Sequence, residues 1–267
     1  MGVFQNNLLA GAAAAATAGG GGFYSHQIEQ SCRFDRASNS YLSRTPSSGG
    51  NQRKWSISFW HKIAQLNEGA GGSGNFHQWW FAESSEKDGI YLQYTTSDHY
   101  YFQVFGSAEY PNASFRDTGG WSHWLYVYDV DNSTTSNRRR VYHNGVEITD
   151  LALNQSPSGD SATNSTVAHY IGRPADNNSA RRADGYIAQF LLTDGSALTP
   201  SDVTETKNGV VIPKDVSGLT YGTNGFLLLF ENASDLGNDS SGNNNDWTAT
   251  NMGTDHQVID SPTIGTG

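Results

Sequence analysis

The chain has 267 residues with 16 basic and 26 acidic side chains, a formal charge of −10, which opposes the counterion release by which proteins bind DNA or RNA. Its single cysteine, Cys32, excludes an intrachain disulfide and a cysteine-based zinc site. A hydrophobic fraction of 36% with 30 glycines suits many short strands joined by turns, in one large all-β domain with extensions.

Residues 1–22 read as an Ala/Gly-rich arm: five alanines follow Leu8-Leu9-Ala10-Gly11, and Gly19 to Gly22 form a flexible joint. Such an arm has too little core to fold alone, and a neighbouring subunit is the simplest holder for it. It superficially suggests a signal peptide but lacks a basic start, and its apolar content is mostly Ala. No segment approaches the roughly 20 apolar residues that span a bilayer, so membrane insertion is not expected.

Strands are predicted over residues 30–35 and 40–44, then Lys54–Ile63 as a central strand, followed by a Gly-rich loop over 67–74. Residues 78–82 and 89–94 are next, and 99–105 pairs back across the turn 95–98 as a hairpin. Residues 120–128 alternate strongly, 140–143 returns, and Asn144-Gly145 makes a tight turn. Later strands are 169–172 and 185–192, and the Leu198 to Val203 segment forms a short helical turn capped by Thr199 or Ser201. Residues 225–230 read as a buried strand, 239–247 as a polar turn with a return strand, and 261–267 as a tail. The domain is therefore placed at 23–260, with the C-terminal strands completing the same sandwich.

The basic runs Arg138 to Arg140 and Arg181-Arg182 fall in polar loops and read as solvated or locally paired. Seven Asn-x-Ser/Thr sequons occur, which a chain so rich in Asn, Ser and Thr makes by chance.

Between Phe34 and Asp202 the order F-D-x-A-x-x-x-Y-L, W-x-I-S-F-W, W-x-H-W-L-Y, V-Y-x-N-G, Y-I-G-R and D-G-Y-I-A-Q-F resembles laminin-G-like, concanavalin-A-like jelly rolls. That resemblance implies an antiparallel β-sandwich. Typical members begin with an element close to D-x-S-G-N-x-N, whereas here Asp239 to Asn245 carries it near the end, as in a circular rearrangement. The fuller layout, with Asn6-Asn7-Leu8-Leu9-Ala10-Gly11, Leu42-Ser43-Arg44-Thr45-Pro46 and the stretch from Leu236 to Asn243, is similar to virion-associated proteins of marine tailed bacteriophages. It implies a structural protein on the virion surface, as capsid decoration or tail-fibre component. The implied partners are other virion proteins, further copies of the chain in a homo-oligomer with a trimer favoured, and host-surface glycans.

The glucanases of this fold class hold carboxylates as E-x-D-x-E on one strand, a spacing that does not occur here. In the nearest cluster, Glu83 falls on the opposite strand face from Glu86 and Asp88. The histidines are scattered singly, with no His-x-x-x-His pair, and no nucleophile and base cluster together. The expectation is a binding protein and not an enzyme. Trp79, Trp80, Tyr100 and Tyr101 are the candidate contacts for carbohydrate or a subunit, because strand alternation sends one ring of each adjacent pair inward and the other outward. The family resemblance also implies calcium held by loop carboxylates. The candidate ligands are Asp176, Asn177, Asn178 and Asp184, then Asp129 with Asp131, then Asp239 with Asn243.

Overall fold

A computed structural model describes residues 22–65, 76–82, 88–93, 99–104, 107–152 and 157–263. The expectations for the arm up to residue 21, the 67–74 loop, Glu83, Glu86, the 95–98 turn and residues 264–267 lie outside the described residues. In chain order the strands are β1 (Ser31–Phe34), β2 (Tyr41–Arg44), β3 (Lys54–Ile63), β4 (Phe76–Ala82), β5 (Asp88–Gln93), β6 (His99–Val104), β7 (Ser107–Pro111), β8 (Ser122–Asp129), β9 (Arg139–His143), β10 (Val146–Glu147), β11 (Leu151–Ala152), β12 (His169–Ile171) and β13 (Gly185–Asp194). After the single turn of helix α1 (Pro200–Val203) come β14 (Thr204–Lys207), β15 (Val210–Pro213), β16 (Phe226–Leu228), β17 (Thr248–Thr250) and β18 (Gln257–Val258).

Sixteen of them form two facing antiparallel sheets, as the sequence predicts, and β14 with β15 forms a separate two-stranded sheet. The first runs β10-β9-β8-β3-β13-β1-β18 with β16 also on β13, and the second runs β11-β7-β6-β5-β4-β12-β2-β17. The C-terminal strands complete both layers, β17 beside β2 and β18 beside β1. Rings from the two layers interdigitate: Trp55 meets Phe102 at 5.8 Å and Tyr100 meets Trp124 at 4.2 Å between centroids. Such edge-to-face and tilted packing adds to the large area each ring buries.

The turn chemistry read from the sequence holds at Asn144 (φ +47°) and Gly145 (φ +75°), which join β9 to β10. A second Asn-Gly turn, Asn208 (φ +53°) and Gly209 (φ +81°), joins β14 to β15 and carried the same signal without being assigned a hairpin. Pro200 opens α1, and the Asp202 carboxylate accepts hydrogen bonds from the Thr199 amide and hydroxyl, both at 2.7 Å. Thr199 is thus the cap.

The two sheets differ in what covers their outer faces. The first is roofed: Leu125, Val127, Tyr142 and Leu191 pack beneath Leu198, Val203, Val216 and Tyr221 from the chain after β13. Burial on both faces accounts for the near-continuous buried runs of β3 and β8. On β13 a bulge between Ala188 and Leu191 serves this layout, with Gln189 at φ +45° and its amide donating to the Lys214 carbonyl at 3.1 Å. The outer face of the second sheet keeps the polar and aromatic alternation of a wetter surface: β6 reads half-buried and buried in strict turn.

The Asp239 to Asn245 element closes one end of the sandwich. The Asp239 carboxylate accepts from the amides of Leu227 and Ser241 at 2.9 Å and of Asn245 at 2.8 Å. The side-chain amides of Asn243 and Asn245 donate to carbonyls of Gly222, Thr223 and Gly225. Both carboxylate oxygens of Asp239 are thus engaged by donors of the chain.

Candidate functional site

Antiparallel register, not sequence proximity, assembles the candidate site. Gln78 pairs with Tyr91, and Tyr91 with Tyr101. The β6–β7 register, Phe102 opposite Glu109, sets Tyr101 opposite Tyr110. A rung of one glutamine and three tyrosines therefore crosses four strands on the outer face of the second sheet, with His99 and Gln103 two residues either side of Tyr101. The rings of Tyr91 and Tyr101 are parallel within 4° at 5.0 Å, Tyr110 lies 4.6 Å from Tyr101, and His99 lies 5.0 Å from Tyr110.

Beside this row opens a cleft of about 230 Å³, lined by Gln78, Phe81, Tyr91 and Gln103 from the sheet and by Pro174, Ala175, Asp176 and Arg181 from the loop after β12. Tyr101 covers one face of Tyr91 and does not line the cleft, so the cleft meets the remaining ring surface of Tyr91. The Tyr91 hydroxyl donates to Gln103 Oε1 at 3.2 Å. Burial, and then the neighbouring Tyr101, push the Tyr91 phenol above its ordinary value, so it stays a protonated donor at neutral pH. Gln78 is 5% exposed, and its side-chain oxygen has no hydrogen-bond partner among the described residues. A buried acceptor of this kind calls for a donor. The loop wall carries a compensated pair, Arg181 Nη1 to Asp176 Oδ2 at 3.3 Å. The cleft thus offers an aromatic surface, two amides and paired charges.

The predicted contacts are redistributed. Trp79 and Trp80 are both buried, at 0% and 1% exposure, which corrects the expectation that one points outward. A bulge between Gln78 and Trp80 inserts an extra residue into β4 and places both indoles in the core, Trp79 against His61 at 5.0 Å and Trp80 against His169 at 5.4 Å. For the tyrosines alternation holds: Tyr100 is buried at 1% with its hydroxyl on His61 Nε2, and Tyr101 is the outward ring. Tyr91, Tyr110, Gln78 and Gln103 were missed. Closing a hairpin over 95–98 would set Tyr91 opposite Phe102; the observed register differs by one residue and sets it opposite Tyr101, so the sequence did not show the pairing.

The calcium candidates of the 176–184 segment do not converge. Asp176 accepts from the Asn178 amide and from Arg181, Asn177 Oδ1 from Arg182, and Asn178 Oδ1 from the Ala180 amide. Asp184 sits apart and buried, with one oxygen on Arg33 and the other on Gln65, each at 2.7 Å. Asp131 is held by Arg53, and Asp129 lies 3.4 Å from Lys54. No group of three His, Cys, Asp or Glu side chains spaced for a metal occurs among the described residues.

A family model described as the concanavalin A-like lectin/glucanases superfamily matches residues 36–204. No curated protein matches the chain. Among solved structures, a putative carbohydrate-binding protein from Bacteroides ovatus aligns at 13% identity and a TM-score of 0.55, over 84% of this chain and 58% of its own. A heptameric SAP-like pentraxin from Limulus polyphemus aligns at 16% identity and a TM-score of 0.47, over 66% and 80%. The LG4-5 domains of the mouse laminin α1 chain align at 11% identity and 0.42, over 65% and 44%. At 13% identity the likeness to the Bacteroides protein is one of fold, and the chain spans little more than half the length of that protein.

Proposed function

Since this chain belongs to the concanavalin A-like lectin/glucanases superfamily, we propose that it is a carbohydrate-binding protein whose ligand seats in the cleft beside Tyr91. The observation that carries the reading is the cleft lining itself, in which the Tyr91 ring is combined with the amide side chains of Gln78 and Gln103. A pyranose has apolar C–H faces and a rim of hydroxyls. It would stack against Tyr91 and donate to Gln78, with the Gln103 amide and the Asp176–Arg181 pair within the same lining. Because Arg181 is neutralised by Asp176, the cleft favours an uncharged sugar. Among the described residues Asp176 is the one carboxylate in the lining, whereas hydrolysis of a glycosidic bond takes two, and the proposed role is binding.

Glycan-array screening followed by calorimetric titration tests this. Tyr91→Ala and Gln78→Leu are each expected to weaken binding about tenfold, or about 1.4 kcal/mol, with the melting temperature as control for folding. Folded variants that bind as tightly as the parent would place the ligand elsewhere. A chelator arm of the same titration reads whether calcium at the loop of Asp176, Asn177, Asn178 and Asp184 contributes to affinity.

The sequence resemblance supports a wider setting: we propose display of this module on a tailed-phage virion, in a homo-oligomer with a trimer favoured, where it attaches to host glycans. Antibody labelling of purified particles tests it, and particles that lack the chain would remove that setting while leaving the sugar site intact.

A further inference from the structure

The dipeptide Asn-Gly occurs at Asn144-Gly145, Asn208-Gly209 and Asn224-Gly225. In this pair the backbone can attack the side chain that precedes it, one reason Asn is thermolabile. A following glycine has no Cβ, which leaves its nitrogen uncovered and its backbone free to turn toward the side-chain amide. The surroundings of each pair then decide whether it reacts.

Two of these pairs are tied down. Asn144 is half-buried; its Oδ1 accepts from the His123 amide at 2.8 Å, and its own amide donates to the His123 carbonyl at 2.9 Å, which stitches the residue to β8. Asn224 is 3% exposed, its Nδ2 donates to the carbonyls of Ser48 and Asn164, and its amide donates to Asp194 Oδ2 at 2.9 Å. A Cβ on Gly225 would run into the Tyr221 carbonyl, so that backbone has little room to rotate.

Asn208-Gly209 differs. It forms the tip between β14 and β15, and both residues are exposed. Its φ angles, +53° and +81°, match the +47° and +75° of Asn144-Gly145, so backbone conformation does not distinguish the two turns. The tether does: among the described residues neither the Asn208 side chain nor the Gly209 amide takes part in a hydrogen bond, and a Cβ on Gly209 would stand in open space. Because β14 and β15 pair only with each other, the tip opens without breaking a hydrogen bond of the two large sheets.

We propose that Asn208 is a site of spontaneous deamidation. The Gly209 nitrogen, its proton lost to water, attacks Asn208 Cγ. The N–Cγ bond forms, the Cγ–Nδ2 bond breaks, and Nδ2 leaves as ammonia, closing a succinimide. Water then opens the ring at either carbonyl, giving aspartate or isoaspartate with no change of oxidation state. Both products add a negative charge to the tip. Isoaspartate also inserts an extra backbone carbon between Lys207 and Val210, which pair directly across the turn, and so disrupts the hairpin closure. The inference does not rest on the sugar site, which lies on the second sheet.

Incubation of the full chain in heavy-oxygen water at mildly alkaline pH, followed by peptide mapping with mass spectrometry, tests it. Each conversion takes up one heavy oxygen, so every Asn-Gly pair is read in the same sample. Asn208 is expected to convert at least about tenfold faster than Asn144, whose hydrogen bonds to His123 must break first, with isoaspartate among the products. In guanidinium chloride, where the tethers are gone, the rates should converge. Equal rates at Asn208 and Asn144 in the folded chain would overturn the proposal. So would a difference that persists undiminished in guanidinium chloride, or aspartate formed without isoaspartate, the mark of direct hydrolysis.

Discussion

Glu109 on β7 and Arg139 on β9 meet between the two sheets and form an ion pair with side chains only 3% and 2% exposed. Glu109 stands opposite Phe102 in the β6–β7 register, and the Arg139 guanidinium lies 5.8 Å from the same ring. The pair thus joins the β7 side of the second sheet to the β9 side of the first, with Glu109 next to Tyr110 on β7. Replacing Glu109 by Gln keeps the shape and removes the carboxylate charge that pairs with Arg139 in the interior. Breaking a buried pair from one side costs about 3–5 kcal/mol, and at about 2–4 °C per kcal/mol for a domain of this size the melting temperature should fall by about 6–20 °C. The double replacement Glu109→Leu/Arg139→Met removes both charges and should recover most of the loss, because the desolvation penalty disappears along with the attraction. Calorimetric melts of the parent, both single variants and the double variant form the cycle that isolates the pair. A Glu109→Gln protein that melts within about 2 °C of the parent would refute the reasoning, since it would mean that Arg139 reaches water or another counter-charge.

Two further outcomes follow from buried polar groups. Burial holds His61 and His123 down at about 3 and His143 and His169 at about 4, with neighbouring histidines adding to the effect at His61 and His123. The unfolded chain, with imidazoles near 6.5, binds these protons first; the stabilisation is complete above about pH 6.5 and is lost as pH falls toward 4, by up to about 1.4 kcal/mol per pH unit for each imidazole. Urea midpoints at pH 7.5, 6 and 5 should decline steeply, and a flat series would contradict neutral burial of the four rings. Asp239→Ala strips acceptors from the amides of Leu227, Ser241 and Asn245, at about 1–3 kcal/mol for each group left buried and unsatisfied. Denaturant unfolding should show a loss of at least about 1 kcal/mol, chiefly from the buried Leu227 amide, and an unchanged midpoint would mean that water replaces the carboxylate.

The sequence by itself determined much of the layered fold. The alternation of Lys54–Ile63 and of residues 120–128, and the Asn144-Gly145 turn, are local properties of a pleated chain and survive intact in β3, β8 and the β9–β10 hairpin. The missing E-x-D-x-E spacing was equally legible, because it depends only on intervals along one strand. The placement of the site was decided by tertiary structure. A bulge in β4, set by its pairing with β5, places Trp79 and Trp80 together in the core, where alternation alone would have left one of them outside. Register across four strands gathered Gln78, Tyr91, Tyr101 and Tyr110, residues no local pattern groups together. Which sheet face stays open depended on the chain after β13 roofing the first sheet and leaving the second to water. Alternation fixes only that neighbouring side chains point opposite ways, while bulges, register and roofing are fixed by contacts between segments far apart in the chain.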